Sequence, residues 1–393
     1  MEIVILGAGV AGVAGAIALR QRGHTVRLLE RRPAPSHLGA GVVLWPNASF
    51  VLAELGLLSA VEAVSGSPTQ MKRMSQDGEL LSALDLVALD RTMGHASHAI
   101  LRRDLQRIML ARLAELGVQV EYGRHVLRVE ARAAGQARAV LANGGELGAD
   151  LILGADGRML SAAREYVSGS AAPVYQGHVN WVGVLESDAA VVDDMAILDF
   201  WGVGQRFGVV PVSRNKVYWA AAKAEPAGCG LHGADMRDGL AAQFAGWPAP
   251  VGRILAACAP ALIRRIDIYD VEPIDCWHRD NVLLVGDAAH AALPTSGQGA
   301  GQALEDAWHL ARCLPDKAAN VADLQEALAA FTALRRDKTR LITQMARGLS
   351  SALFDTDPAA AQERNRQARA GDSAAMVQAM ARGWGAGLDL SRR

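Results

Sequence analysis

Runs of apolar residues and their spacing divide the chain into elements before any chemistry is considered. Glu2–Leu6 is a continuous apolar stretch of strand type, followed by glycine-rich sequence and a small-residue helix to about Arg22. After Gly23, a second strand at 25–29 ends in Glu30. From Arg102 a helix is predicted, because Leu105, Ile108, Met109, Leu113 and Leu116 share one face. Short strands at 118–122, 126–133, 137–142 and 145–148 read as a β-meander, and 150–153 as another buried strand. Residues 70–99 read as a small β excursion ending in a loop with His95 and His98, both taken as solvated or bracing side chains.

The run 173–224 alternates apolar and polar positions as antiparallel sheet does, with Asn180, Trp181, Phe200, Arg206, Tyr218 and Trp219 interspersed. Such a sheet can floor an aromatic-lined pocket or simply form one layer of a core. Helices near 234–245 and 250–258 and a strand near 264–270 lead to a buried strand at 282–285. Beyond it the chain is helical, at 303–314, Val321–Leu353 and 359–382. The long central helix shows Leu324, Leu328, Phe331, Leu334, Leu341, Ile342 and Met345 and is expected to brace the sheet. A chain of 393 residues, 51% hydrophobic, exceeds the roughly 250–300 residues at which one core splits, so two domains are expected.

Three strand ends carry candidate chemistry. The first is Gly7-Ala8-Gly9-Val10-Ala11-Gly12, set between strand and helix and followed by Glu30 at the end of the next strand. In that context the glycines are read as a dinucleotide fingerprint: Gly7 for the turn, Gly9 for pyrophosphate approach and Gly12 for helix–strand packing. Glu30 is placed to accept hydrogen bonds from a ribose. Arg31 and Arg32 form a basic pair, either solvated or touching the adenosine phosphates, and Arg102 is either a surface arginine or a phosphate or ribityl contact. The second strand end is Gly154-Ala155-Asp156-Gly157, with Arg164 on the following helix. Asp at the C-terminal edge of a strand in an open α/β sheet is expected to face the ligand crevice.

The third is Gly286-Asp287, followed by Pro294 and Gly297-Gln298-Gly299-Ala300 at a helix start. Asp287 can accept hydrogen bonds from sugar-like hydroxyls, and the unpaired N–H groups of a first helical turn can stabilise an anionic ring edge. Asn47, within GAGVVLWPN at 39–47, is a natural N-cap for a helix over 48–57 and a candidate for the same ligand region.

Charge narrows the partners. Forty basic against 41 acidic residues, without a basic stripe, argue against nucleic acid or a membrane surface as the main partner and for a small molecule. The cysteines Cys229, Cys258, Cys276 and Cys313 have no metal-ligand spacing and are expected to be buried thiols of a cytoplasmic protein, with no metal site. The apolar 3–19 segment lacks a basic flank and is read as folded core rather than a signal peptide.

The three motifs in this order, GAGVAG with Glu30, GADG, and GDAAH with Pro294 and GQG, resemble the single-component FAD-dependent aromatic hydroxylases of the para-hydroxybenzoate or salicylate hydroxylase type over almost the whole chain. GAGVVLWPN, YQGHVNWVG at 175–183 and the block 205–219 look most like the branch containing FAD-dependent urate hydroxylases. The resemblance implies an α/β fold. A Rossmann-like FAD-binding domain, a βαβ unit with parallel sheet and β-meander, would occupy 1–69, 100–172 and 275–355. It would be interleaved with a mixed or antiparallel-sheet substrate domain at 70–99 and 173–274, with a helical tail at 356–393.

It further implies FAD as cofactor, NAD(P)H as reductant, and O₂-dependent hydroxylation of an electron-rich aromatic or heteroaromatic small molecule through a flavin hydroperoxide, by a cytoplasmic monomer or homodimer. Arg206 and Tyr218 fall where a urate hydroxylase places its substrate-orienting pair, which makes a urate-like purine an alternative substrate. Pro294 belongs to the wall that excludes water. A related flavoprotein reductase or a flavin-binding sensor without oxygen transfer is the alternative function. A nicotinamide dehydrogenase would leave the third motif unexplained. One departure stands out: Arg158-Met159-Leu160 precede Ser161, one residue more than is usual, so the helix carrying Arg164 is expected to be shifted.

Overall fold

A computed structural model describes residues 1–35, 40–132, 136–169, 172–316 and 321–391. Its first sheet has six strands in the order His278–Arg279, Val282–Leu284, Leu151–Gly154, Glu2–Leu6, Thr25–Glu30 and Val120–Tyr122. All neighbours in it are parallel except the edge strand His278–Arg279. Strands covered on both faces carry no polar face, and Ile3, Val4, Ile5, Leu6 and Leu151, Ile152, Leu153 are accordingly all buried. The helices Val10–Gln21 and Gly299–Cys313 pack against each other over this core.

Val120–Tyr122 departs from expectation. It leaves the meander and pairs in parallel with Thr25–Glu30, so the meander proper is the three-stranded sheet of Val126–Arg132, Gln136–Leu141 and Glu146–Ala149.

The second large sheet has seven strands, ordered Arg264–Asp270, Val174–Glu186, Lys216–Ala224, Gln205–Ser213, Ala196–Trp201, Gln70–Ser75 and Leu80–Asp85. One face buries Trp181, Phe207, Val209 and Trp219 beneath the helices Met236–Gln243 and Val251–Ala257. The other carries Val182, Val184, Val210 and Tyr218, which pack with Ala99 and Leu101. The excursion at 70–99 supplies two of these strands and also a helix, Leu86–Met93, which Asp85 caps through its side chain and Gly94 terminates. A two-stranded ribbon, Gly41–Leu44 with His98–Leu101, lies between the sheets in the chain's path.

The tail differs from the single helix expected at 359–382. It forms Pro358–Ala370 and Ser373–Gly385, separated at Gly371 and Asp372, because Asp372 accepts the N–H groups of Ala374 and Ala375 and so starts a new helix. Along Val321–Leu353, Leu324, Leu328, Phe331 and Ile342 are buried, whereas Leu334, Leu341 and Met345 are exposed. Of the four cysteines only Cys258 is buried; Cys313 is half-buried and Cys229 and Cys276 are exposed. Among the described residues no helix is long and apolar enough to cross a membrane, and no cluster of His, Cys, Asp or Glu has the makings of a metal site.

Candidate active site

The first strand ends at Leu6 and the chain turns at Gly7, whose φ of +97° is a conformation that favours glycine and whose N–H donates to Leu29 O at 2.7 Å. A Cβ on Gly12 would lie 1.8 Å from Gly7 O, whereas one on Gly9 would meet nothing within 4 Å. Gly12 therefore serves packing. Gly9, the N-cap of Val10–Gln21, leaves the helix's unpaired N–H groups facing open space.

That space is a cleft of about 330 Å³, bordered by Gly7, Gly9, Val10, Glu30, Arg31, Arg102, Asp156 and Ala300 among the residues singled out from sequence. Both carboxylate oxygens of Glu30 are held by backbone, Oε2 by Ala8 N–H at 3.0 Å and Oε1 by Arg32 N–H at 2.9 Å. Each oxygen keeps a further lone pair for a ribose hydroxyl. The open glycine turn, the fixed acid and the cations Arg31 and Arg102 fit the adenosine diphosphate half of FAD.

Further residues border the cleft without having been foreseen. Gln106 donates to Ala8 O at 2.9 Å and braces the turn. It lies one helical turn after Arg102, a spacing visible in the sequence. Tyr122, Arg124 and His125 arrive with the strand Val120–Tyr122, and their proximity to Glu30 follows from its pairing with Thr25–Glu30.

The second motif splits its duties. Asp156 borders the cleft while its carboxylate accepts from Ser161 Oγ and from Ala163 N–H, at the start of the helix Ala162–Ser168. Burial raises its pKa against those hydrogen bonds. After GADG, Met159 and Leu160 are exposed, Ser161 caps the helix, and Arg164 reaches Ala288 O at 2.7 Å and Glu272 O at 3.0 Å. Arg158 pairs with Asp287 at 2.7 Å, so the second and third motifs touch through an ion pair.

At the third motif, Gly286 packs on Ala11 and donates to Asp306. Asp287, Pro294, Gly297, Gln298 and Gly299 do not border the cleft described above. Pro294 is exposed and opens a single turn, Pro294–Ser296, after which Gly297 adopts a φ of +62° and Gln298 starts the helix Gly299–Cys313. Trp45 Nε1 holds Gly297 O at 2.9 Å. Asn47 is not the N-cap of its helix: Trp45 is, with Pro46 at the first helical position, and Asn47 is fully buried inside the first turn. Its amide donates to Gln298 Oε1 at 2.9 Å and Glu305 Oε1 at 2.7 Å, while Asn47 Oδ1 and Gln298 Nε2 are buried without partners.

Behind this loop is a buried ionic network that the sequence did not disclose. Arg335, on the long helix, donates to Glu305 Oε2 at 2.6 Å, Asp306 Oδ1 at 2.8 Å and Gln302 Oε1 at 2.7 Å. Lys338 reaches Glu305 at 2.8 Å, and His290 reaches Asp306 at 2.6 Å. Burial pushes the Asp306 carboxyl up, but the charges of His290 and Arg335 and the hydrogen bonds of His290 and Gly286 outweigh it and hold it well below the usual range. Burial is likewise overcome at Glu305, by Arg335 and Lys338. The network ties the third motif to two helices.

On the second sheet, Arg206 and Asn180 both oppose Ala222, and Tyr218 opposes Val210, which places Arg206, Asn180 and Tyr218 on one face. Between Arg206 and Tyr218 the opposed pair is Gly208 and Ala220, two small residues, and a Cβ on Gly208 would meet nothing nearer than Ala220 O at 3.9 Å, so the sheet face is open there and forms a shallow hollow between the two larger side chains. The two ends are separated by four positions, roughly 13 Å of strand. Arg206 is anchored through Nε to Asp199 at 2.6 Å. Tyr218 packs its ring on Gly41, where a Cβ would approach to 2.0 Å. Burial pushes the Tyr218 hydroxyl far up, only partly opposed by the charge of Arg102, so it keeps its proton. Arg102, which borders the cleft, donates its N–H to Ala40 O at 3.0 Å, next to the Gly41 on which Tyr218 packs, so Tyr218 lies toward the cleft end of this sheet face.

Comparison with known proteins agrees with this geometry. Residues 1–346 match the FAD binding domain family. The aurachin C monooxygenase/isomerase of Stigmatella aurantiaca is 34% identical over 345 residues, 86% of each chain. A FAD-dependent urate hydroxylase of Klebsiella pneumoniae is 33% identical over 349 residues, 88% of this chain and 89% of that one. The crystal structure of Klebsiella pneumoniae HpxO complexed with FAD and uric acid superimposes with a TM-score of 0.88 at 30% identity, covering 98% of this chain and 96% of that one. A glycine turn, two strand ends that meet at one cleft and a family match over most of the chain thus carry one conclusion: this protein belongs to the FAD binding domain family, as a FAD-dependent monooxygenase of the aromatic-hydroxylase type.

Proposed function

We propose that this monooxygenase hydroxylates an electron-rich aromatic or heteroaromatic small molecule held in the hollow between Arg206 and Tyr218, with FAD lying in the cleft and along the loop at 294–300. Residues 1–69, 100–172 and 275–355 form the cofactor-binding part and 70–99 with 173–274 the substrate-binding part. The observation that carries this reading is the placement of Arg206 and Tyr218 on one sheet face, at the two ends of a floor made of Gly208 and Ala220, with Tyr218 toward the cleft end of that face.

When bound, FAD supplies the redox and oxygen-transfer chemistry, with NAD(P)H as reductant and O₂ as oxidant. The chain's residues do the rest. The turn at Gly7–Gly12 receives the pyrophosphate and Glu30 the ribose, with Arg31 and Arg102 balancing phosphate charge. The first-turn N–H groups at Gly299 and Ala300 stabilise negative charge on the ring system. Arg206 holds the substrate's anionic edge, and Tyr218, which keeps its proton, donates to an acceptor on the ring. Pro294, exposed at the start of this loop, is the apolar side chain that keeps water from the reacting face.

Relatives include urate hydroxylases and a salicylate hydroxylase, so the ring can be a urate-like purine or a phenol. A screen of phenols, purines and pyridine or quinoline acids, scored by substrate-stimulated NAD(P)H oxidation and a product one oxygen heavier, tests the reading. Oxidation without any oxygenated product from the whole panel would instead support a reductase.

A further inference from the structure

The hollow has a charged end that one arginine does not account for. Asp199 faces Gly208 on one neighbouring strand and Arg73 on the other, so Arg73, from Gln70–Ser75, stands on the same face as Arg206, with Asp199 between them. Asp199 is buried and its carboxylate takes Arg206 Nε at 2.6 Å. Among the described residues this is the one side-chain hydrogen bond that Arg206 makes, and its side chain remains 27% exposed. The two terminal nitrogens of its fork are unspent.

Arg73 is more poorly matched. Its Nε is buried without a partner, and Nη1 reaches only the thioether of Met376 at 3.4 Å. Its guanidinium lies 5.4 Å from the centre of the Trp201 ring, and the Trp201 indole N–H, on a residue 4% exposed, is also unpaired. Burial lowers the Arg73 pKa and Arg206 lowers it further, with Asp199 alone opposing.

A third guanidinium, Arg364 of the tail, is also 5.4 Å from the Trp201 ring centre, but its donors are taken by Ala352 O, Leu353 O, Gly202 O and Asn365 Oδ1. It contributes charge rather than hydrogens. The one buried carboxylate on this face is taken by Arg206, and Arg73 makes no ion pair with it, so among these two guanidiniums one cation is in excess and both keep unmatched N–H donors. A desolvated guanidinium without an acceptor is costly, and a planar oxyanion satisfies two forks at once.

We propose that Arg73 and Arg206, set apart by Asp199, form a paired-guanidinium site for a carboxylate carried by the substrate ring, at the end of the hollow away from Tyr218. Asp199 is a positioning residue: by engaging Arg206 Nε it aims the remaining two nitrogens at the ligand. This rests on the assignment of the hollow as the substrate site and adds to it a second arginine and a ligand group.

The test uses the FAD-loaded protein, with binding read from the perturbation of the flavin spectrum by benzoate, by the neutral isostere benzamide and by urate. Benzoate is expected to bind about tenfold or more tighter than benzamide, and Arg73→Gln to weaken benzoate by about tenfold while leaving benzamide unchanged and FAD content intact. Equal affinity for benzoate and benzamide, a response to urate but to neither benzoate nor benzamide, no response to any of the three probes, or an unchanged benzoate affinity in Arg73→Gln would each overturn the proposal. If Arg73→Gln does not yield folded, FAD-bound protein, Arg73→Lys, which keeps charge but not the fork, is read in the same way: weaker benzoate binding supports the pair, unchanged binding refutes it. Turnover is not needed for this readout. Charge-selective binding with no oxygenated product would refute the hydroxylase reading and leave the arginine pair standing.

Discussion

The indole N–H of Trp45 donates to the carbonyl of Gly297 at 2.9 Å, and so a residue 252 positions earlier holds the loop that leads into the helix Gly299–Cys313. Trp45 is itself packed against Trp384 of the last helix, ring centres 5.0 Å apart, and Lys338 fixes that helix's end through Trp384 O at 2.6 Å and Ala386 O at 2.9 Å. The tail, which lies beyond the family match, thereby braces the loop. Trp384→Ala is expected to lower coupled turnover by roughly tenfold, through misplacement of the loop, while the protein stays folded. Peroxide release against NAD(P)H consumed checks it; unchanged coupling would show that the brace has no catalytic consequence.

Arg335 is fully buried and holds both Glu305 and Asp306. Removing it leaves two buried carboxylates short of their cation, so Arg335→Met is expected to destabilise the protein by about 3–5 kcal/mol. Denaturant unfolding of the FAD-loaded protein measures this. A loss below about 1 kcal/mol, the scale of exposed pairs, would mean that the network is hydrated.

Buried imidazoles make stability depend on pH. Burial holds His178 down to about 4, with the charge of Arg206 adding and a hydrogen bond to Gln176 O opposing, and burial holds His309 down to about 4 as well. Unfolded, both titrate near 6.5. Between those values the unfolded chain binds protons that the folded chain refuses, so stability falls as pH drops from about 6.5 to about 4. Below that window the depressed carboxyls of Glu305 and Asp306 continue the loss. Tm is expected to decrease across this interval, and to decrease less in His309→Asn. A Tm that is flat or rising toward pH 4 contradicts the buried, neutral assignment.

Gly41 lies flat on Tyr218, and a Cβ there would be 2.0 Å from the ring. Gly41→Ala must displace Tyr218, so the substrate KM is expected to rise about tenfold with FAD still bound. An unchanged KM would remove Tyr218 from the substrate's surroundings.

Much of the cofactor region could be read from the chain alone, because local order determines it: a glycine turn between strand and helix has few other uses, and Gly7, Gly9, Val10, Glu30, Arg31 and Asp156 all border one cleft. What escaped depends on long-range pairing. Val120–Tyr122 looks like a meander strand until its partner is known. Asn47 has the composition of a cap, but Pro46 moves the helix start one residue earlier and turns Asn47 inward. Arg335 and Lys338 sit in the charged stretch RRDK, and only the approach of Glu305 and Asp306 explains their burial. The tail's two helices share one Ala-rich composition, and the Asp372 cap that divides them is a single residue.

The most direct measurement of the central claim is the mass of the product formed under ¹⁸O₂ by the purified, FAD-loaded protein with NAD(P)H and the panel compound that most stimulates its oxidation. The account predicts one ¹⁸O atom incorporated into the ring and near-stoichiometric NAD(P)H consumption. A product without the label, or label recovered only in hydrogen peroxide with every ring tested, would contradict it.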